Sequence, residues 1–286
     1  MNFFSNTLFA DAEAEYPDAQ YVIFGVPYDG TTSFRAGARN GPRAIRDLSY
    51  NFEKYHPATG GDLGRIPFTD LGDIVPFVRA EAVSGQVEEV ARGICRDGKI
   101  PIMLGGEHSA SIGAVSGVRP DCVVICDAHL DLREEFGGDP YNHACTARRI
   151  ADEIGIENIF IIGGRSGTEE EYAFAERYHL YTADDVRNRG ISDIIHEIRP
   201  AIFSKRLYLS IDADVIDCCL TPGVGTPEPF GLSPLDIREV IRTLAPQAIG
   251  FDYMEVCPVD ADQTEAVAAR LIREFIAVHW KSRKIS

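Results

Sequence analysis

Short runs of β-branched and apolar residues alternate along the chain with longer stretches whose apolar positions recur every three or four residues. The runs Tyr21–Val26, Ile100–Leu104, Cys122–Cys126, Asn158–Ile162, Arg206–Ile211 and Ala248–Phe251 predict strands, and a weaker one lies at Phe68–Leu71. The amphipathic stretches predict helices at Pro42–Tyr55, Ala80–Arg96, Ser109–Val118, Ala144–Ile154, Glu169–Tyr178, Asp184–Ile198, Pro234–Leu244 and Asp262–Lys281. Ser233-Pro234 followed by Asp236 marks a helix start, with a capping hydroxyl, proline in the first turn and an acid at the positive dipole end. Segments such as VVIC and LYLSI are apolar throughout, as strands buried on both faces are. Regular strand–helix alternation predicts an α/β fold with a mostly parallel sheet covered on both sides. No repeat, low-complexity tract or Ser/Gly-rich linker interrupts it, so residues 1–286 read as a single domain.

Ligands of an open parallel sheet sit where strand carboxyl ends meet their loops. That rule makes the polar residues informative by position. His108 follows IPIMLGGE; Asp127, His129 and Asp131 follow VVIC; Asp212 and Asp214 follow LYLSI; Glu255 follows AIGFDYM. In an extended segment, Asp127, His129 and Asp131 alternate with Ala128 and Leu130 and point the same way. Asp212-Ala213-Asp214 repeats the spacing, although that pair alone also fits a loop cap. Four carboxylates cannot ionise together in a dry crevice without cations. Two divalent ions resolve the conflict, and oxygen-rich ligation with two imidazoles suits Mn²⁺ better than a thiolate-seeking metal.

Charge and cysteine content narrow the alternatives. The formal net charge of −16 repels a phosphate backbone, and no basic cluster offsets it, which argues against nucleic acid as a partner. The N-terminus lacks a basic, then apolar, secretory pattern, and no uncharged apolar stretch is long enough to span a membrane. Seven cysteines without a CxxC pair fit reduced thiols in the cytoplasm.

Several blocks then occur in one order: GVPYDGTTSFRAGARNGPRAIR, GGEHS, DAHLDLR, SIDADVIDCCLTPGVGTPEP and MEVCP. In these the chain resembles the ureohydrolase family of arginases and agmatinases over nearly its whole length, and microbial agmatinases above all. The resemblance implies a three-layer αβα fold and a homo-oligomer, trimer or hexamer. It implies that His108, Asp127, Asp131 and Asp212 hold one metal ion and His129, Asp127, Asp212 and Asp214 the other. His143 would be the mobile proton carrier and Glu255 would bind the substrate guanidinium. The implied reaction hydrolyses a small cationic guanidino compound, agmatine to putrescine and urea being the leading case. A guanidinobutyrase, an arginase, a formiminoglutamase or a catalytically silent subunit stays open. The loop between Asp131 and His143 carries Glu134, Glu135 and Asp139 against Arg133, which predicts attraction for an ammonium tail. Cys218 follows Asp217 where the family usually has proline, a departure outside the ligand set.

Overall fold

Side chains along each predicted strand alternate between two apolar layers, and the fold follows from that alternation. In the computed structural model, residues 7–175 and 179–284 are described. The elements in order are β1 (Tyr21–Val26), α1 (Gly41–Ser49), a hairpin of β2 (Tyr55–His56) and β3 (Gly61–Asp62), β4 (Phe68–Asp73), α2 (Ala80–Arg96), β5 (Ile100–Gly105) and α3 (Ala110–Val118). They continue as β6 (Cys122–Cys126), α4 (Thr146–Ile154), β7 (Ile159–Gly164), α5 (Glu169–Ala175), β8 (His179–Thr182), α6 (Ala183–Arg189) and α7 (Ile191–Ile202). The last are β9 (Leu207–Asp212), α8 (Pro234–Leu244), β10 (Ala248–Met254) and α9 (Gln263–Arg283).

Eight strands form one sheet in the order β4-β1-β5-β10-β9-β6-β7-β8, and every adjacent pair is parallel. Tyr21 and Ile23 of β1 join the core beneath α1, α7, α8 and α9, while Val22, Phe24 and Val26 face α2, α3 and α4. Cys122, Val124 and Cys126 of β6 likewise face the first layer, and Val123 and Ile125 the second. The architecture is the expected three-layer αβα sandwich, and each fully buried aliphatic side chain contributes roughly 1.5–3 kcal/mol to it.

Two expected helices change, and one strand is added to the main sheet. The helix expected over Pro42–Tyr55 stops at Ser49, whose hydroxyl bonds back to the Arg46 carbonyl, and residues 55–62 turn into the β2–β3 hairpin. The helix expected over Asp184–Ile198 is two, because Gly190 adopts φ 87° and ends α6. Strand β8 is an edge strand with half-exposed side chains, so it lacks the apolar run that marks the central strands. The helix expected over Glu169–Tyr178 is seen as α5, and positions 176–178 lie outside the described residues.

A buried ion pair ties α1 to edge strand β4. Arg46 Nε and NH2 donate to Asp70 Oδ2 and Oδ1 at 2.7 and 2.9 Å, and Arg46 also pairs with Asp73. Asp70 Oδ2 additionally accepts the Phe9 amide at 2.7 Å. Arg46→Met strands a buried carboxylate, so it should cost about 3–5 kcal/mol in chemical denaturation. A loss below about 1 kcal/mol would mean that the pair is solvated rather than structural.

Candidate metal centre and active site

Strands β5, β10, β9 and β6 are neighbours at the middle of the sheet, and their carboxyl ends open on one edge. The Gly105-Gly106 turn allows β5 to deliver the first groups. A Cβ on Gly106 would lie 1.9 Å from the Tyr28 carbonyl oxygen, so the close backbone approach requires glycine there. His108 follows, nearly fully buried, and its amide donates to Glu255 Oε1 at 2.7 Å across the β5–β10 gap.

His108 is oriented from behind. Its Nε2 lies 2.9 Å from Ser210 Oγ, and Ser210 donates its own proton to Asp252 Oδ1 at 2.6 Å. A serine has one proton to give, so Nε2 carries a proton and Nδ1 faces forward, with its lone pair free whenever the ring is neutral. There it meets Asp127 Oδ2 at 2.9 Å, Asp212 Oδ2 at 3.2 Å and Asp131 Oδ2 at 3.6 Å. On the other side of Asp127, His129 Nδ1 lies 2.9 Å from Asp214 Oδ2 and 3.7 Å from Asp127 Oδ1.

The structure brings five of the six candidate ligands into two overlapping groups, His108, Asp127 and Asp212, and Asp127, His129 and Asp214, and the sixth, Asp131, stands beside them with Oδ2 3.6 Å from His108 Nδ1. Asp127 belongs to both groups. His108 Nδ1 and Asp127 Oδ2 are buried and accept or donate no hydrogen bond, though they face each other. Orphaned atoms of this kind in a shell of carboxylates and imidazoles fit divalent cations. The electrostatics agree. Burial, then the charge of Asp127, pushes the Asp131 carboxyl well above its ordinary range, and burial with Asp214 and Asp127 does the same to Asp212. Burial pulls His108 down, but Asp127 and Asp212 outweigh it and hold its imidazolium well up. Without cations the cluster must share protons to exist.

The backbone reaches this geometry differently from the extended alternation expected. Asp131 turns out of the β6 segment at φ 50°, and Glu255 sits at φ 61°, both left-handed conformations uncommon outside glycine. Asp212 and Asp214 converge because residues Ala213–Val215 form a 3-10 turn, with Asp212 Oδ1 accepting the Asp214 amide at 2.8 Å. The loop-cap reading of this pair thus holds alongside its place in the cluster.

His143 opens a 3-10 turn capped by Asn142 and faces the same cavity, of about 270 Å³, as His129, Asp131, Ser33, Arg133 and Glu171. Burial, then the neighbouring His129, lowers its pKa to about 4. Glu255 is buried, and burial with the charges of Asp212 and Glu107 pushes its carboxyl up.

The acids expected to attract a substrate tail do not line this cavity. Glu134 pairs with Arg148 at 2.5 Å and Arg149 at 3.5 Å, Glu135 is exposed, and Asp139 Oδ1 accepts the Tyr141 amide at 2.9 Å. Helix α4 supplies the two arginines that pair with Glu134. The acids that are near are Glu171, paired with Arg133 at 3.3 Å, and Glu228, which accepts from Ser166 Oγ at 2.8 Å and lies 3.8 Å from His129 Nε2. Glu228 stands inside the TPEP block, so its motif was visible even though its place was not.

A model of the arginase family matches residues 19–277. The chain belongs to the arginase family. It is similar to the N(1)-aminopropylagmatine ureohydrolase of Thermococcus kodakarensis, at 40% identity over 89% of this chain and 88% of that one. It is 34% identical to the agmatinase of Bacillus anthracis over 96% of each chain. The solved agmatine ureohydrolase of Thermoplasma volcanium superposes with a TM-score of 0.95 at 42% identity, covering 99% of this chain and 97% of that one. The chain is thus a ureohydrolase, an amidinohydrolase enzyme of the arginase family, whose members depend on a binuclear metal centre. No helix among the described residues is long and apolar enough to cross a membrane.

Proposed function

We propose that this ureohydrolase acts on agmatine, releasing urea and putrescine, with two Mn²⁺ ions per chain. The observation that carries the reading is the pair of overlapping His/Asp groups sharing Asp127 at adjacent strand ends. His108, Asp127, Asp131 and Asp212 would hold one ion, and His129, Asp127, Asp212 and Asp214 the other, with Asp127 and Asp212 common to both. When bound, the ions lower the pKa of a water towards neutrality and offset the four carboxylates.

The remaining steps belong to side chains. Glu255 has Oε1 committed to the His108 amide, which leaves Oε2 for a guanidinium N–H. Attack on the guanidinium carbon gives a tetrahedral adduct whose amine departs only when protonated. His143 takes up the proton released on attack and returns it to that amine. The assembly is a homo-oligomer, trimer or hexamer, working in the cytoplasm on a small cationic substrate, as the family resemblance implies.

Tail selection rests with Glu228 instead of the 134–139 loop, since Glu171 is committed to Arg133. A carboxylate tail would meet the repulsion of Glu228, while an ammonium tail would be drawn in. A second reading, N1-aminopropylagmatine, is favoured by the relative of that name at 40% identity. Urea release from agmatine, N1-aminopropylagmatine, arginine and 4-guanidinobutyrate, beside formamide release from formiminoglutamate, with added Mn²⁺ separates these. The expected kcat/KM for agmatine exceeds those for arginine and 4-guanidinobutyrate by about 100-fold, equivalent to about 2.7 kcal/mol. A higher value for N1-aminopropylagmatine moves the assignment to the second reading. Parity with arginine defeats the tail argument, and neither urea nor formamide from any of them leaves a silent homologue.

A further inference from the structure

A histidine that moves protons must present one chosen ring nitrogen, and two residues so far without a role make that choice here. Glu107 is fully buried directly after the glycine turn. Its Oε1 accepts from Thr31 Oγ1 at 2.7 Å and from Ser109 Oγ at 2.5 Å, and its Oε2 accepts the Thr31 amide at 2.7 Å. The Thr31 hydroxyl thereby spends its single proton on Glu107. Towards any other neighbour it can only accept.

Both remaining lone pairs face His143. The His143 amide reaches Thr31 Oγ1 at 3.0 Å, and the ring Nδ1 lies 3.1 Å from the same oxygen. Since Thr31 has no proton left to give, Nδ1 must carry one. Nε2 is then the bare nitrogen, 3.3 Å from Ser33 Oγ, and His143 and Ser33 both line the active-site cavity. Phe136 sits edge-on to the ring with centroids 6.4 Å apart.

We infer that Thr31, locked by Glu107, is a positioning residue that holds His143 in the Nδ1–H tautomer and reserves Nε2 for the reacting proton. Neither Thr31 nor Glu107 needs to touch the substrate for this. The polarity runs one way: the Glu107 carboxylate accepts, Thr31 donates to it, and His143 donates to Thr31. Without the Glu107 end, the hydroxyl is free to rotate and donate to Nδ1, which would place the ring proton on Nε2 and block its use as a base. The functional part of this inference rests on His143 being the proton carrier, and the tautomer can be read independently of that role.

Neutron diffraction from deuterium-exchanged crystals of the Mn²⁺-loaded enzyme reads the tautomer directly. Deuterium on His143 Nδ1 is expected, and its absence there overturns the inference. Thr31→Val keeps the β-branched shape but removes the acceptor. It should lose the Nδ1 deuterium and lower kcat about 100-fold, with KM and metal content unchanged. Thr31→Ser restores the hydroxyl and should return kcat to within about 3-fold of the parent. A Thr31→Val enzyme with parental kcat and an unaltered His143 proton also overturns the inference. Should His143→Ala turn over normally, the proton-carrier reading fails on its own account, while the deuterium positions still decide what Thr31 does.

Discussion

Asp127→Ala is expected to reduce urea release by more than about 1,000-fold and to leave the protein unable to retain its full complement of metal. Asp127 stands between both imidazoles, with Oδ2 2.9 Å from His108 Nδ1 and Oδ1 3.7 Å from His129 Nδ1. It is the residue that both candidate ligand groups contain. In the proposed assignment, removing it would take one carboxylate from each ion, whereas His108→Ala would take an imidazole from one, so the alanine at 127 should be the more damaging. Asp212→Ala should follow Asp127→Ala, because its Oδ2 also faces His108 Nδ1, at 3.2 Å, and its Oδ1 holds the turn that delivers Asp214. Chelation of the parent enzyme should have the same functional result, and added Mn²⁺ should reverse it. Ligand binding at about 1,000 times Kd stabilises a fold by about 4 kcal/mol, so chelation should lower Tm by roughly 8 °C or more. Elemental analysis beside the urea assay decides the matter. Full activity in a preparation shown to be free of metal sinks the two-ion reading.

The reach of the sequence is clearest where chemistry coincides with a strand end. VVIC and LYLSI announce buried parallel strands, and acids directly after them can point only to the sheet's carboxyl edge. That local logic places His108, Asp127, His129, Asp131, Asp212, Asp214 and Glu255 at one edge of the sheet. It could not supply contacts between distant segments. Asp252 orients His108 through Ser210, yet in the sequence it is only a charge inside an apolar strand, and its partners lie 42 and 141 residues away. Thr31 meets His143 across 112 residues. The 134–139 loop shows the converse failure. Its acids look available as a string, but α4 folds back and Arg148 and Arg149 claim Glu134. Backbone detail escaped for a different reason. The 3-10 turn at Asp212–Asp214 and the left-handed Asp131 and Glu255 are tertiary solutions that override the simple two-residue period of a strand.

His143→Ala is expected to slow kcat about 100- to 10,000-fold while metal content stays at the parental level. The two halves of this expectation come from separate observations. The ring of His143 bonds to Thr31 and Ser33, and it belongs to neither candidate ligand group, so its removal leaves the carboxylates and imidazoles that would hold the ions in place. It nevertheless shares a cavity with His129 and Asp131, close to where an amine must depart. Burial and His129 lower its pKa to about 4, so the ring is neutral at physiological pH and has an unprotonated nitrogen to offer. A group with so low a pKa gives its proton up readily to an amine, which is the stronger base. An alanine there forces the proton to travel through water, and KM should change little because Glu255, the proposed guanidinium site, is untouched. Loss of metal in the His143→Ala protein would make it a ligand and void the assignment. A kcat within about 10-fold of the parent, with metal retained, would show that another group carries the proton.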